Sequence, residues 1–200
     1  MNLTLWFPTP IFWYDLPNSK ELNKYLIKHI KEWHKKDKKG VQMTNRGGWH
    51  SAVNMNNKKE YEPLVKELLN AQEKICETEQ YTSKMGLGNM WANINYPGCY
   101  NKEHMHPNCN WSGAYYIQTP KNCGRLTIHD PRHGANMVLA KQAPLKELKQ
   151  RCWRQANYIP IEGRMILFPA YLAHHVNMNE SKLKGINGWR ISVSFNFLQL

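Results

Sequence analysis

The sequence predicts a mostly β protein, a β-sandwich or jelly roll flanked by helices. Three observations support this fold class. Apolar residues recur with a helical period in the first third of the chain and with a period of two from Leu87 onward. Short strand-like segments then follow one another, separated by turns rich in Pro, Gly and Asn. With 200 residues, 42% of them hydrophobic, the chain can bury a core of its own.

Two amphipathic helices are expected before residue 85. Asn18 and Glu21 have the spacing of a capping box that opens the first helix. The apolar residues that follow keep helical spacing: Leu22, Leu26, Ile30 and Trp33. A second helix begins near Pro63, with an apolar stripe formed by Leu64, Leu68 and Ile75. The Gly-rich segment 45–51 between them is too irregular for a helix.

Strands are expected over most of the remaining chain. In the first of them Met90, Ala92 and Ile94 alternate with Trp91, Asn93 and Asn95. Further strand-like segments cover residues 112–118, 125–129, 136–139, 158–161, 164–168 and 189–198. We predict a single domain over residues 1–200, with a helical N-terminal part over about 1–85 and a jelly-roll core over about 86–200.

Composition argues against several classes of protein. No segment reaches the ~20 apolar residues of a membrane span, and no signal-peptide pattern opens the chain, so we expect a cytoplasmic protein. Five cysteines without a CxxC pair argue against a zinc ribbon and against a disulfide framework. The net charge of +12 raises affinity for polyanions, and much of it lies in segment 28–39. A nucleic-acid partner is compatible with this charge but not favoured, because no nucleic-acid-binding motif accompanies it.

Three histidines form the strongest candidate site. Side chains at i and i+2 of an extended segment lie on the same side, so His104 and His106 can bind one metal ion together. His174 can supply a third nitrogen, because a jelly roll brings distant strands side by side; its neighbour His175 would then face the other way. Three imidazoles leave positions open on an octahedral metal, whereas a structural zinc site is closed. Against this, an isolated HxH pair also occurs by chance.

The last strand has one apolar and one polar face. The apolar face carries Trp189, Ile191, Val193, Phe195 and Phe197, and the polar face carries Arg190, Ser192, Ser194 and Asn196. If the apolar face packs on the helices, the polar face lines the barrel interior, where an arginine needs an anion beside it. A ligand carboxylate held by Arg190, with Ser192 in support, would supply that anion. The alternative is an edge strand whose polar side faces water.

These segments resemble the double-stranded β-helix of iron(II)/2-oxoglutarate-dependent oxygenases, and more narrowly a small family of such oxygenases from bacteria and marine phages. The matching motifs span nearly the whole chain. In order they are Phe7-Pro-Thr-Pro-Ile-Phe12, Gly47-Gly-Trp49, Trp91-Ala-Asn-Ile-Asn95, His104-Met-His-Pro107, Trp111-Ser-Gly-Ala-Tyr-Tyr-Ile117, Gly124-Arg-Leu126, Asp130-Pro-Arg132, Phe168-Pro169 with His174, and Arg190-Ile-Ser-Val-Ser-Phe-Asn196. The phage members are compatible with a phage-encoded protein that acts in the host cytoplasm.

The resemblance implies an activity and its site. The protein would be a dioxygenase that uses Fe(II), O2 and 2-oxoglutarate to hydroxylate a C–H bond, with release of succinate and CO2. His104, His106 and His174 would bind the metal. Arg190 would bind the distal carboxylate of 2-oxoglutarate, with Ser192 and Tyr116 beside it. The substrate would be a small molecule or a peptide. Residues expected near the mouth of the site, and so near this substrate, are Trp91, Asn93, Asn108, Trp111 and Arg132.

One departure and two alternatives stay open. The wider superfamily has Asp or Glu where this chain has His106, which leaves the choice of metal open; Asp130 is a carboxylate that could compensate, although a turn or substrate-loop role is favoured for it. The spacing Gly98-x5-His104 and Gly163-x5-Pro169 also matches the metal pattern of cupins. Cupins usually add a glutamate, but this chain has Asn110 and Trp111 there. The first alternative is therefore a cupin-like dioxygenase that binds its metal with three histidines and does not use 2-oxoglutarate. The second alternative is a jelly-roll binding module without catalysis.

Overall fold

The computed structural model describes residues 1–5, 7–132 and 144–199. In this part of the chain there are two long helices, α1 (Ser19–Lys36) and α2 (Glu62–Thr78). The strands in chain order are β1 (Phe12–Asp15), β2 (Asn45–Arg46), β3 (Trp49–His50), β4 (Met85–Asn95), β5 (Tyr100–His104), β6 (Trp111–Gln118), β7 (Leu126–His129), β8 (Gln155–Tyr158), β9 (Arg164–Pro169), β10 (His174–Val176) and β11 (Arg190–Gln199).

The strands form two antiparallel sheets that pack on each other. The six-stranded major sheet has the order β1-β9-β6-β11-β4-β3, and the five-stranded minor sheet has the order β2-β5-β10-β7-β8. Strands that follow each other in the chain, such as β4 and β5 or β5 and β6, lie in different sheets, so the chain crosses repeatedly between the two layers. This is the arrangement of a jelly roll, or double-stranded β-helix, and it confirms the predicted fold class.

Two apolar clusters hold the layers together. The larger cluster lies between the helices and one face of the major sheet, and it includes Leu26, Ile30, Leu64, Leu68, Ile191, Val193, Phe195 and Phe197. The smaller cluster lies between the two sheets and includes Tyr116, Leu126, Ile128, Ile166 and Phe168. The apolar face of β11 therefore packs towards the helices, and its polar face points to the space between the sheets. β11 pairs with β6 and β4, so the alternative of an edge strand is wrong.

Local details differ from the sequence predictions in several places, and strands β1, β5 and β10 lie outside the strand-like segments that were predicted. The first helix does follow Asn18, but this residue has φ 55° and its side chain makes no capping hydrogen bond, so the capping box is wrong. The strand predicted over 158–161 lies earlier, at Gln155–Tyr158. The Gly-rich segment 45–51 contains the two short strands β2 and β3. The strand predicted over 136–139 lies outside the described residues.

The described surface agrees with the expected character of the basic segment. Lys35 and Lys36 in the last turn of α1, and Lys38 and Lys39 just beyond it, are all exposed, as predicted for the solvated end of a helix. None of the helices found in residues 1–5, 7–132 and 144–199 has the length and apolar character needed to cross a bilayer.

Candidate active site

A cavity of about 250 Å³ opens between the two sheets. The major sheet lines it with side chains from β4, β6 and β11, and the minor sheet with side chains from β5 and β10. His104, His106, His174 and Arg190 all line this one cavity. The fold thus brings together four residues that are far apart in the sequence.

The three histidines lie close to one another at the minor sheet. His104 at the end of β5 pairs directly with His174 at the start of β10, and their ring centroids are 4.3 Å apart. His106 lies just beyond β5, where its backbone N–H donates to the carbonyl of Ala170 at 3.0 Å. Its ring centroid is 5.0 Å from that of His104 and 5.1 Å from that of His174. One ring nitrogen from each histidine lies within 4.8 Å of the other two, which is close enough to share a metal ion.

Backbone carbonyls fix the tautomers of two of these histidines. Nδ1 of His104 lies 2.7 Å from the carbonyl oxygen of Lys102, and Nδ1 of His174 lies 2.8 Å from that of Leu172. A carbonyl oxygen only accepts hydrogen bonds, so Nδ1 carries the proton in both rings. Each Nε2 then keeps its lone pair, in the arrangement common to metal-binding histidines.

The electrostatics of the cluster favour neutral imidazoles. Burial lowers the pKa of His104. Burial, together with the neighbouring imidazoles, lowers the pKa of His106 to about 4 and that of His174 to about 3. All three rings are therefore neutral at neutral pH, with one ring nitrogen of each free of its proton, which is the form that binds metal.

Arg190 begins β11, and only 1% of its surface is exposed. Its Nη1 donates to the carbonyl of Cys123 at 2.7 Å and lies 3.5 Å from that of Asn177. Burial lowers the pKa of this guanidinium, but arginine stays charged in proteins. Within the described part of the chain no carboxylate pairs with Arg190, and the bonds found there leave its Nε and Nη2 donors unused. A buried cation in this state favours an anionic ligand.

Two hydroxyl groups lie beside Arg190 in the cavity. Tyr116 on β6 and Ser192 on β11 are paired across the two strands, and both line the cavity. Burial raises the pKa of Tyr116 to about 12, so its hydroxyl keeps its proton at neutral pH. Neither hydroxyl bonds to another protein group among the described residues. Both are therefore available to donate to the same anion as Arg190.

Gly124 gives Arg190 the space it occupies. Gly124 has φ +88°, and a Cβ there would lie 2.2 Å from the carbonyl oxygen of Asn177 and 2.9 Å from Nη1 of Arg190. Gly98 has the same φ of +88°, but a Cβ there would meet nothing within 4 Å. We therefore expect Gly124→Ala to destabilise the protein by about 1–3 kcal/mol more than Gly98→Ala. Urea unfolding of both variants measures this difference in the free energy of unfolding. The two glycines have the same φ, so the backbone strain of alanine is the same at both positions and cancels in the comparison. Equal losses of stability in the two variants would contradict the prediction.

The residues predicted near the substrate divide into two groups. Trp91 and Asn93 on β4 line the cavity, whereas Asn108, Trp111 and Arg132 do not. Trp111 is 2% exposed and lies in the larger core cluster, because it points to the helix side of β6. Arg132 bonds to both carboxylate oxygens of Asp130, at 2.9 and 2.7 Å, and both residues line a separate groove. Asp130 is not among the groups that meet at the three histidines.

His50 belongs to the cavity but was not predicted to do so. It is 4% exposed on β3, and its ring stacks on Trp91 with centroids 5.4 Å apart and an interplanar angle of 13°. The ring of Trp91 in turn lies 5.9 Å from that of His106. Segment 45–51 stood out in the sequence for its glycines and for the family-like motif Gly47-Gly-Trp49. Nothing in its local pattern indicates that it reaches the cluster of His104, His106 and His174.

Comparison with solved structures shows the same fold in several proteins. A prolyl-4-hydroxylase from Pseudomonas putida aligns with a TM-score of 0.68 and 12% identity, over 96% of this chain and 94% of that one. The viral collagen prolyl hydroxylase of Paramecium Bursaria Chlorella virus-1, solved with 2-oxoglutarate, aligns with a TM-score of 0.61 and 15% identity, over 94% of each chain. HygX from Streptomyces hygroscopicus, with nickel and 2-oxoglutarate bound, gives a TM-score of 0.61 and 11% identity, over 94% of this chain and 82% of that one. At these identities the likeness concerns the fold.

The sequence itself identifies the family. A search among curated proteins finds no match. The family model described as "Putative 2OG-Fe(II) oxygenase" matches residues 89–196, which is more than half of the chain. This range contains the three histidines, Tyr116 and Arg190, and the cofactors named by the family are Fe(II) and 2-oxoglutarate. The chain belongs to the 2OG-Fe(II) oxygenase family.

Proposed function

We propose that this protein is an Fe(II)- and 2-oxoglutarate-dependent dioxygenase that hydroxylates a C–H bond of a small molecule or peptide, with release of succinate and CO2. One observation carries the proposal: three convergent histidines and a buried arginine line the same cavity. The histidines suit a metal ion, and the arginine suits a dicarboxylic acid bound beside that ion.

His104, His106 and His174 would hold Fe(II). The donor set fits the ion because the three imidazoles are neutral and the carbonyl contacts of His104 and His174 leave their Nε2 lone pairs available. Three protein nitrogens leave up to three positions of an octahedral ion for exogenous ligands. When bound, Fe(II) supplies the activation of O2 that couples oxidation of 2-oxoglutarate to oxidation of the substrate.

Arg190, Tyr116 and Ser192 would hold the distal carboxylate of 2-oxoglutarate. The guanidinium can donate through Nε and Nη2 to both oxygens of one carboxylate, which is the strongest geometry for this pair. The hydroxyls of Tyr116 and Ser192 add neutral donors. The negative charge of the carboxylate would pair with the buried guanidinium. This attraction would offset the free-energy cost of removing Arg190 from water.

Trp91, Asn93 and His50 would contact the primary substrate. Trp91 offers an aromatic face between His50 and His106, and Asn93 donates to Ser194 at 3.1 Å, which orients its amide. These groups would hold the reacting C–H bond near the metal and exclude water from it. We restrict the proposed contacts to residues that line the cavity, which leaves out Asn108, Trp111 and Arg132.

The first test is anaerobic titration of 2-oxoglutarate into the Fe(II)-loaded protein. A metal-to-ligand charge-transfer band in the visible is expected, because the cosubstrate would chelate the ion directly. The band would justify a substrate search by succinate release. Bound iron without a band would reject 2-oxoglutarate and favour a cupin-type three-histidine dioxygenase. No bound iron at all would favour a non-catalytic module.

His106 allows a direct test of the unusual ligand set. Replacing His106 by aspartate should keep Fe(II) binding and the charge-transfer band, because a carboxylate is a good iron ligand and adds a negative charge beside a divalent cation. Replacing it by alanine should weaken the affinity for Fe(II) by at least about tenfold, because loss of a residue that only hydrogen-bonds to a metal ligand already has an effect of that size. Iron content after desalting measures both. Equal binding by the alanine variant and the unmodified protein would remove His106 from the ligand set.

A further inference from the structure

The opposite face of the minor sheet carries a second group of metal-binding side chains. Neighbouring residues of a strand point to opposite faces, so Glu103 and His175 lie on the outer face while His104 and His174 lie inside. His129, at the end of β7, joins them there. One ligand atom from each of Glu103, His129 and His175 lies within 4.8 Å of the other two.

Two distances within this group match those between the ligands of one metal ion. Nε2 of His129 lies 3.0 Å from Nδ1 of His175 and 3.1 Å from Oε2 of Glu103. Ligands about 2.0–2.1 Å from a zinc ion at tetrahedral or octahedral angles are separated by about 2.9–3.4 Å. Both contacts of His129 thus have the spacing of neighbouring ligands, and the third pair, His175 and Glu103, lies within 4.8 Å.

Protons alone leave this group incompletely bonded. Nε2 of His129 faces both Nδ1 of His175 and Oε2 of Glu103, and a ring nitrogen carries at most one proton. A single proton cannot serve both contacts, so one of the three atoms is left without a full hydrogen bond. A cation at their centre would satisfy all three atoms together.

The second ring nitrogen of His175 contacts a side-chain amide. Its Nε2 lies 3.3 Å from Nδ2 of Asn177, whose Oδ1 lies 3.0 Å from the Thr127 hydroxyl. An amide nitrogen only donates, so Nε2 of His175 accepts and Nδ1 carries the proton of the neutral ring, directed at Nε2 of His129. The carboxylate of Glu103 then faces the lone pair of that Nε2. A metal ion would displace the proton and bind Nδ1 of His175 in its place.

We propose that Glu103, His129 and His175 form a second metal site, selective for a divalent transition ion such as Zn²⁺, on the outer face of the minor sheet. Two histidines and one glutamate are an established zinc donor set, with the fourth position open to water. The side chain of Glu103 is 59% exposed, so an ion can enter from solvent. A bound ion would link β7 to β5 and β10, the two strands that also carry His104 and His174. The proposal does not depend on oxygenase activity.

The test is metal stoichiometry of the tag-free, metal-free protein after Zn²⁺ loading and desalting. Two equivalents are expected for the unmodified protein, and one for His129→Ala and for Glu103→Gln. The double variant His104→Ala/His174→Ala should keep one equivalent, which isolates the outer site from the inner one. The matched control is His29→Ala, which should keep two equivalents. His29 and Glu32 form a surface pair at 3.9 Å, and no third ligand joins them among the described residues.

A second readout measures the effect of the ion on stability. In the His104→Ala/His174→Ala background, a hundredfold excess of Zn²⁺ over its dissociation constant should raise the melting temperature by about 5 °C or more, and the further change His129→Ala should abolish this rise. Co²⁺ should give d–d absorption bands in the same background. The proposal is overturned if this background binds no Zn²⁺, or if His129→Ala binds as much Zn²⁺ as His29→Ala. If the unmodified protein bound a single Zn²⁺ and His129→Ala bound none, the proposed function would be contradicted and the outer site would be supported.

Discussion

Replacing Arg190 by alanine is expected to weaken 2-oxoglutarate binding by about 2–5 kcal/mol, or roughly 30- to 5,000-fold in the dissociation constant. The guanidinium is buried, and its known hydrogen bonds go to backbone carbonyls through Nη1 alone. Its removal would leave the distal carboxylate of 2-oxoglutarate buried with only the hydroxyls of Tyr116 and Ser192. The measurement is anaerobic titration of 2-oxoglutarate into each Fe(II)-loaded variant, followed at the charge-transfer band.

Arg164 provides the matched control for this experiment. It also lies on a strand of the major sheet, but it does not line the cavity. Its Nε lies 2.6 Å from Oδ1 of Asp15. Arg164→Ala should therefore leave the affinity for 2-oxoglutarate within about twofold of the original, in line with the small energies of surface pairs. Arg190→Lys should bind with intermediate affinity, because it keeps the charge and loses the two-pronged geometry. Unchanged affinity in Arg190→Ala would exclude Arg190 from cosubstrate binding.

Replacing His174 by alanine is expected to weaken Fe(II) binding by at least about 100-fold, since loss of an outer-sphere partner alone costs 10- to 100-fold. His174 is the most buried of the three histidines, and its ring contacts both His104 and His106. The two remaining imidazoles belong to one short segment and cannot surround the ion. The measurement is anaerobic Fe(II) titration, with the charge-transfer band as a reporter specific for the inner site.

His29→Ala is the control for the loss of a histidine as such. His29 lies on α1 beside Tyr25 and does not line the cavity, so this variant should bind Fe(II) like the unmodified protein. Circular dichroism should show folded protein for both variants. If His174→Ala retained the charge-transfer band at unchanged Fe(II) concentration, the metal would have to bind elsewhere, and the assignment of the three histidines would be wrong.

Agreement between sequence and structure is greatest where a local pattern reports burial directly. In β11 the alternation of apolar and polar residues predicted an interior Arg190, and the apolar face does pack towards the helices. In β4 the same alternation separates core-facing Met90 from cavity-facing Trp91. A period of two identifies both faces of a strand, because each face has its own environment.

The sequence was less informative where strands are short or where tertiary contacts outweigh local preference. Strands β2 and β3 have two residues each, too few for a period, and they exist because they pair with β5 and β4. β8 begins at Gln155, before the apolar run that was expected to form it, because its partner β7 sets its register. At Asn18 the left-handed backbone replaced the predicted cap.

The amino-acid sequence by itself determined the chemical types in the candidate site and their order along the chain: HxH, a distal histidine and an arginine on an alternating strand. Only the tertiary structure decided which side chains meet. It placed His50 against Trp91, moved Trp111 into the core, and gathered Glu103, His129 and His175 on the outer face. The physical reason is that convergence depends on the register between strands distant in sequence, including the irregular pairing of β5 with β10, and local periodicity carries no information about that register.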